Sequence, residues 1–146
     1  MTCSRRRLGL LGVALLASAC TNLTSDAHLV ALSTTLKGDQ EVPPVMSMGQ
    51  GQLDAVLDRR TRQLRWKLEY SGLTGPATAA HFHGPAQPDS NAGVLFPLAS
   101  PVSSPSEGAA LLTEAQATEL LAGRWYVNVH TAAHPGGEIR GQVTVR

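Results

Sequence analysis

Beyond residue 28 the chain alternates. Leu29, Ala31 and Ser33 interleave with Val30, Leu32 and Thr34, which predicts a strand to about Lys37. Gly38-Asp39-Gln40-Glu41 reads as a turn, and Pro43-Pro44 prevents a regular ladder there. Over residues 51–58, Leu53, Ala55 and Leu57 share one face, and residues 59–63 make a polar hairpin connection. In 64–70, Leu64, Trp66, Leu68 and Tyr70 alternate with Arg65, Lys67 and Glu69, the pattern of a half-buried antiparallel strand. A loop over 71–76 leads to a strand over 77–83, ended by Gly84-Pro85. A polar turn at 87–93, a short strand over 93–98 and a Pro/Ser-rich connection at 100–106 follow. Residues 113–121 predict a helix: Thr113 can cap it, Gln116 completes a capping box, and Gly123 closes it. Strands over 124–131 and 138–145, joined by a Pro-Gly-Gly turn, finish the chain. About seven strands and one short helix predict an all-β fold, an antiparallel β-sandwich or flattened Greek-key barrel.

The first residues carry a different pattern. Arg5-Arg6-Arg7, an apolar stretch over 8–16 and Ala17-Ser18-Ala19-Cys20 read as an export signal occupying residues 1–20. The apolar stretch is too short to span a bilayer as a helix, which takes about 20 residues. Cleavage before Cys20 would leave its thiol at a new N-terminus, the arrangement of bacterial lipoproteins, which this segment resembles. Diacylation of Cys20 would then anchor the domain to a membrane surface. Ala17 stands where lipoproteins usually have Leu, and Ala-Ser-Ala also suits an ordinary signal peptidase. Ser4 to Leu8 loosely fits a twin-arginine signal, although a generic basic region is the simpler reading. Residues 21–28 read as a tether and 29–146 as one folded domain, exported to the cell envelope or periplasm. Cys3 leaves with the signal, so no intramolecular disulfide is expected and stability must come from packing. With two each of Trp, Tyr and Phe, the core is expected to be largely Val, Leu and Ala. Net charge is +1, with no basic run in the domain, so no nucleic-acid partner is expected.

The candidate chemistry lies in the histidines. Four of five fall in two blocks, His81 and His83 in AAHFHGPA, and His130 and His134 in YVNVHTAAHPGGEIRGQ. Residues two apart on a strand share a face, so His81 and His83 point together, away from Phe82. Tyr126, Asn128 and His130 likewise oppose Val127 and Val129. If the apolar faces meet the core, the three strand histidines form a surface cluster. Imidazole suits copper, zinc and iron, and a paired neighbouring strand would bring His130 near the other two. His134, in the turn, is a candidate fourth ligand, or it shapes the turn before Pro135. Asn128, Thr131 and Glu138 are candidate hydrogen-bond partners, and these bonds alone would lock loops together. Glu138 and Arg140 are expected on one polar side, either supporting the site and attracting anions or forming a surface ion pair. Met46 and Met48 offer soft thioethers, but packing against a sheet edge is their commoner role. No nucleophile motif occurs.

The segments LKGDQEVPPV, LRWKLEYSGLTGPATAAHFHGPA, the LT that opens the helix, and AGRWYVNVHTAAHPGGEIRGQV resemble the CHRD domain, the module named after chordin. The resemblance covers roughly residues 30–146 and implies a β-sandwich or barrel working outside the cytoplasm, without an established activity. A weaker similarity is to copper/zinc superoxide dismutase, which uses an HxH strand, a later strand histidine and an arginine near the C-terminus. His81, His83, His130 and Arg140 match these in order. Only residues 87–93 lie where a long zinc loop with a bridging histidine would be needed, and the disulfide cysteines are missing. Three readings follow: a domain binding a transition metal, copper before zinc, through the histidines; a non-metal structural or protein-interaction module; and a copper enzyme acting on a small oxidant.

Overall fold

The computed structural model describes residues 27–98 and 102–146. The expected signal, Cys20 and nearly all of the tether lie outside the described residues. Eight strands are present among the described residues: β1 (Leu29–Lys37), β2 (Gln50–Asp58), β3 (Gln63–Ser71), β4 (Ala77–His83), β5 (Val94–Pro97), β6 (Ser106–Leu111), β7 (Trp125–Thr131) and β8 (Ile139–Val145). One helix, α1 (Glu114–Leu121), precedes β7. The predicted capping box forms, with Thr113 Oγ1 accepting from Gln116 N and the Gln116 side chain accepting from Thr113 N. Gly123 stops the helix in the left-handed region at φ 71°, where glycine has no Cβ to clash.

All strands pair antiparallel in one sheet, ordered β5-β4-β7-β8-β1-β2-β3-β6. The β2–β3 hairpin is built as expected: Asp58 Oδ1 accepts from Arg60 N and Thr61 N, and Arg62 takes φ 61°. The sheet curls so that β3 faces β4 and β5 across the core. Trp66 on β3 reaches Phe82 on β4 edge-on, with ring centroids 5.3 Å apart, and lies 5.7 Å from Phe96 on β5. The architecture is therefore a flattened, half-closed barrel whose β5 and β6 edges are not paired with each other. Leu32, Leu36, Leu53, Leu57, Leu64 and Leu68 fill one half of the interior, and Val127, Val129, Ile139 and Val143 the other. The aliphatic core predicted from composition has an aromatic centre, since Trp66, Phe82 and Trp125 are all buried in it.

Strand β6 was not expected. Its sequence, Ser-Glu-Gly-Ala-Ala-Leu, has weak strand propensity, and tertiary pairing decides its conformation. Gly108 sits opposite Trp66, and a Cβ there would lie 2.5 Å from Trp66 Cζ2. The small residue gives the indole room to lie over the neighbouring backbone. The same requirement removes the side-chain alternation that marks a strand in sequence.

Candidate metal centre

Strands β4 and β7 pair directly, and β7 pairs β8, so three predicted polar half-faces merge into one surface. His81 is opposite Asn128, which is opposite Arg140; His83 is opposite Tyr126, which is opposite Gln142. His130 lies diagonal to His81, since its partner is Ala79. This face opposes Phe82, Val127 and Val129, as the alternation requires. It is not an open surface, however. Every residue of β7 is buried, and His83 and His130 are 7% and 8% exposed. Only His81 remains partly open.

Loops roof the polar face because buried polar groups need partners, and loop carbonyls supply them. His83 Nδ1 lies 3.0 Å from Ala92 O, and His130 Nδ1 lies 3.0 Å from Pro135 O. Arg140 donates from Nη1 to Asn91 Oδ1 at 3.0 Å and from Nη2 to Ser90 O at 2.8 Å, with its guanidinium 3.5 Å above the Tyr126 ring. Gln142 Nε2 donates to Ala86 O and Gly123 O, and Asn91 Nδ2 to Val42 O. The His83 ring stacks parallel on Tyr126 at 4.6 Å.

Within this layer the structure brings His81, His83 and His130 together, with one ring nitrogen from each lying within 4.8 Å of the others. His81 Nδ1 and His130 Nε2 are hydrogen-bonded at 3.0 Å. His130 Nδ1–H donates to the Pro135 carbonyl, which leaves Nε2 as the lone-pair nitrogen, the usual support for a ligating histidine. His83 has Asn128 Oδ1 3.0 Å from Nε2 as well as Ala92 O at Nδ1. A neutral ring has one N–H and satisfies one of these acceptors. Burial first, and then the neighbouring imidazoles, push the His81 pKa down; burial and His83 do the same at His130 against the Pro135 bond. Both shifts favour the neutral, ligand-competent form.

His134 does not join the three. Its backbone builds the turn, accepting from Gly137 N and donating to Thr131 O, which is the alternative the sequence allowed. The expected Glu138–Arg140 ion pair does not form. Arg140 is 1% exposed and is used up on the 87–91 loop and Tyr126, so it is not placed to guide an anion from solvent. Glu138 accepts instead from Ser47 Oγ, Thr74 N, Thr74 Oγ1 and Thr131 Oγ1. Burial alone would raise its pKa, but those bonds outweigh it and hold the carboxyl at about 2. Glu138 thus ties the 47–49 segment and the 71–76 loop to the start of β8.

Sequence reasoning missed Glu41, which it placed in a polar turn. Glu41 is 5% exposed, its Oε1 lacks a partner, and the carboxyl approaches the Asn128 amide. Burial raises its pKa to about 7, against the attraction of Arg140 and the Asn128 bond. Glu41, Asn128 and His83 thereby form a line from a cleft into the histidine cluster. No periodicity signals such a residue, because it lies outside the strands.

Among the described residues no helix is long and apolar enough to cross a membrane. No curated protein and no solved structure gives a significant match. The model of the CHRD domain matches residues 32–143, from within β1 to within β8 and across all three clustered histidines. On that match, the chain belongs to the CHRD domain family.

Proposed function

We propose that this domain binds one transition-metal ion, copper in preference to zinc, through His81, His83 and His130, as an exported store, sensor or delivery module tethered through Cys20. The observation that carries the reading is the convergence of three imidazoles under two carbonyl-anchored loops. Imidazole suits both ions, and copper stands above zinc in the affinity order of divalent ions for nitrogen sites. The metal would replace the proton these two nitrogens share.

Titration of purified protein with Cu(II) should reach about one ion per chain. Changing a supporting residue costs about 10–100-fold in metal affinity, so losing a ligand in His81→Ala or His130→Ala should cost more than about 100-fold. Unchanged stoichiometry and affinity in both variants would overturn the assignment.

A second reading draws on the same hydrogen bonds. Each ring has a partner within the fold, and on this reading the histidines are clamps of a protein-interaction module. That reading predicts a melting temperature indifferent to chelator and to added copper, whereas a bound metal raises it by mass action.

A further inference from the structure

We propose that Met46 and Met48 form a second metal site, separate from the histidines, for a soft monovalent ion of the Cu(I) class. Burial alternates along 45–49: Val45 and Ser47 are half-buried and Gly49 is buried, while Met46 and Met48 are 98% and 90% exposed. This reverses the usual arrangement, in which the long apolar side chains turn inward and the hydroxyl outward. Packing against a sheet edge, the commoner role for such methionines, does not occur.

The phase of the alternation has an identifiable cause. Ser47 Oγ donates to Glu138 Oε1 at 2.6 Å and accepts from Gly49 N at 2.9 Å. A slip by one residue would break the bond to a buried carboxylate, so the segment is held with Ser47 inward. Its two flanking thioethers therefore leave on the same side. In an extended segment, side chains two residues apart are separated by about 6–7 Å along the chain. Methionine is unbranched and has three flexible side-chain torsions, so both sulfurs can swing onto one ion. Neutral thioethers are soft donors that select Cu(I) over hard divalent cations. The only other methionine in the chain is Met1, so both internal ones are spent on this exposed pair. Lys37 and Asp39 line the same shallow cleft with charges of opposite sign. Two thioethers leave room for a further ligand from solvent or a partner, which suits an exchanging site. Because thioethers do not titrate, binding here should be independent of pH between 5 and 8.

The test is NMR of the folded protein with 13C-methyl methionine, titrated at pH 5 with Ag(I) as a redox-inert probe and then with Cu(I) under anaerobic conditions. The Met46 and Met48 methyl signals should move together and saturate at one ion per chain. In the Met46→Leu/Met48→Leu variant that saturable binding should be lost, while Cu(II) binding at the histidines is unchanged. Both side chains are exposed, so the substitution leaves the core intact. Methyl signals that stay still, or that titrate independently of each other, would overturn the proposal. Failure of the histidine reading would appear separately, in the Cu(II) titration of the unaltered chain.

Discussion

Replacing Glu41 with Gln should stabilise the protein far more at pH 8 than at pH 5. Glu41 is buried, and its pKa rises from 4.5 to about 7 on folding. Between those values the folded protein holds a proton that the unfolded chain has released, so unfolding becomes easier as pH rises through the window. At 1.36 kcal/mol per pKa unit, the full effect is about 3 kcal/mol, and most of it is reached by pH 8. Gln mimics the protonated acid: it stays neutral and keeps a carbonyl oxygen for the Asn128 amide. The assay is urea unfolding of metal-free protein at several pH values between 5 and 8. The lowered pKa values of His81 and His130 act with the opposite sign, making stability rise with pH up to about 6.5. They are present in both proteins and cancel in the difference. The variant should gain on the parent from pH 5 to about pH 7 and level off by pH 8. Parallel profiles would refute the reasoning, and a variant less stable at pH 8 would mean that Glu41 and Arg140 act there as a stabilising ion pair.

Three other outcomes follow from the same geometry. Glu138→Ala strands four donors, from Ser47, Thr74 and Thr131, and should cost at least about 3 kcal/mol by urea midpoint. With the Glu138 pKa at about 2, its contribution is whole above pH 4.5 and fades as pH falls toward 2, so acid titration of the parent should show a loss that Glu138→Gln lacks. Gly108→Ala puts a methyl 2.5 Å from the Trp66 ring and should cost about 1–3 kcal/mol, with a shift in tryptophan fluorescence. Cu(II) affinity, followed by competition with a chelator, should hold up to lower pH than ordinary imidazole ligands would allow, because burial pushes the His81 and His130 pKa values down. A tenfold loss between pH 8 and pH 7 would contradict that.

Local chemistry made much of this molecule legible before any coordinates. The Thr113–Gln116 capping box, the Gly123 stop and the Asp58 hairpin are satisfied within a few residues of themselves, so their sequence signals are complete. Period-two alternation placed His81 and His83 on one side of β4, and Asn128 and His130 on one side of β7. It failed for β6, where Gly108 serves an indole from another strand. It also misjudged Glu138 and Arg140, which share a strand side and yet answer to different loops.

What the sequence determined alone was the faces: which side of each strand is apolar, which is polar, and that the clustered histidines belong to the polar one. Tertiary structure decided that β4, β7 and β8 lie side by side, that loops cover their polar side, and that Glu41 is drawn in while His134 is left in its turn. The division has a physical reason. Alternation is imposed by the backbone geometry of a single strand, whereas the burial of a polar face depends on distant carbonyls arriving to satisfy it, and no local pattern records their arrival.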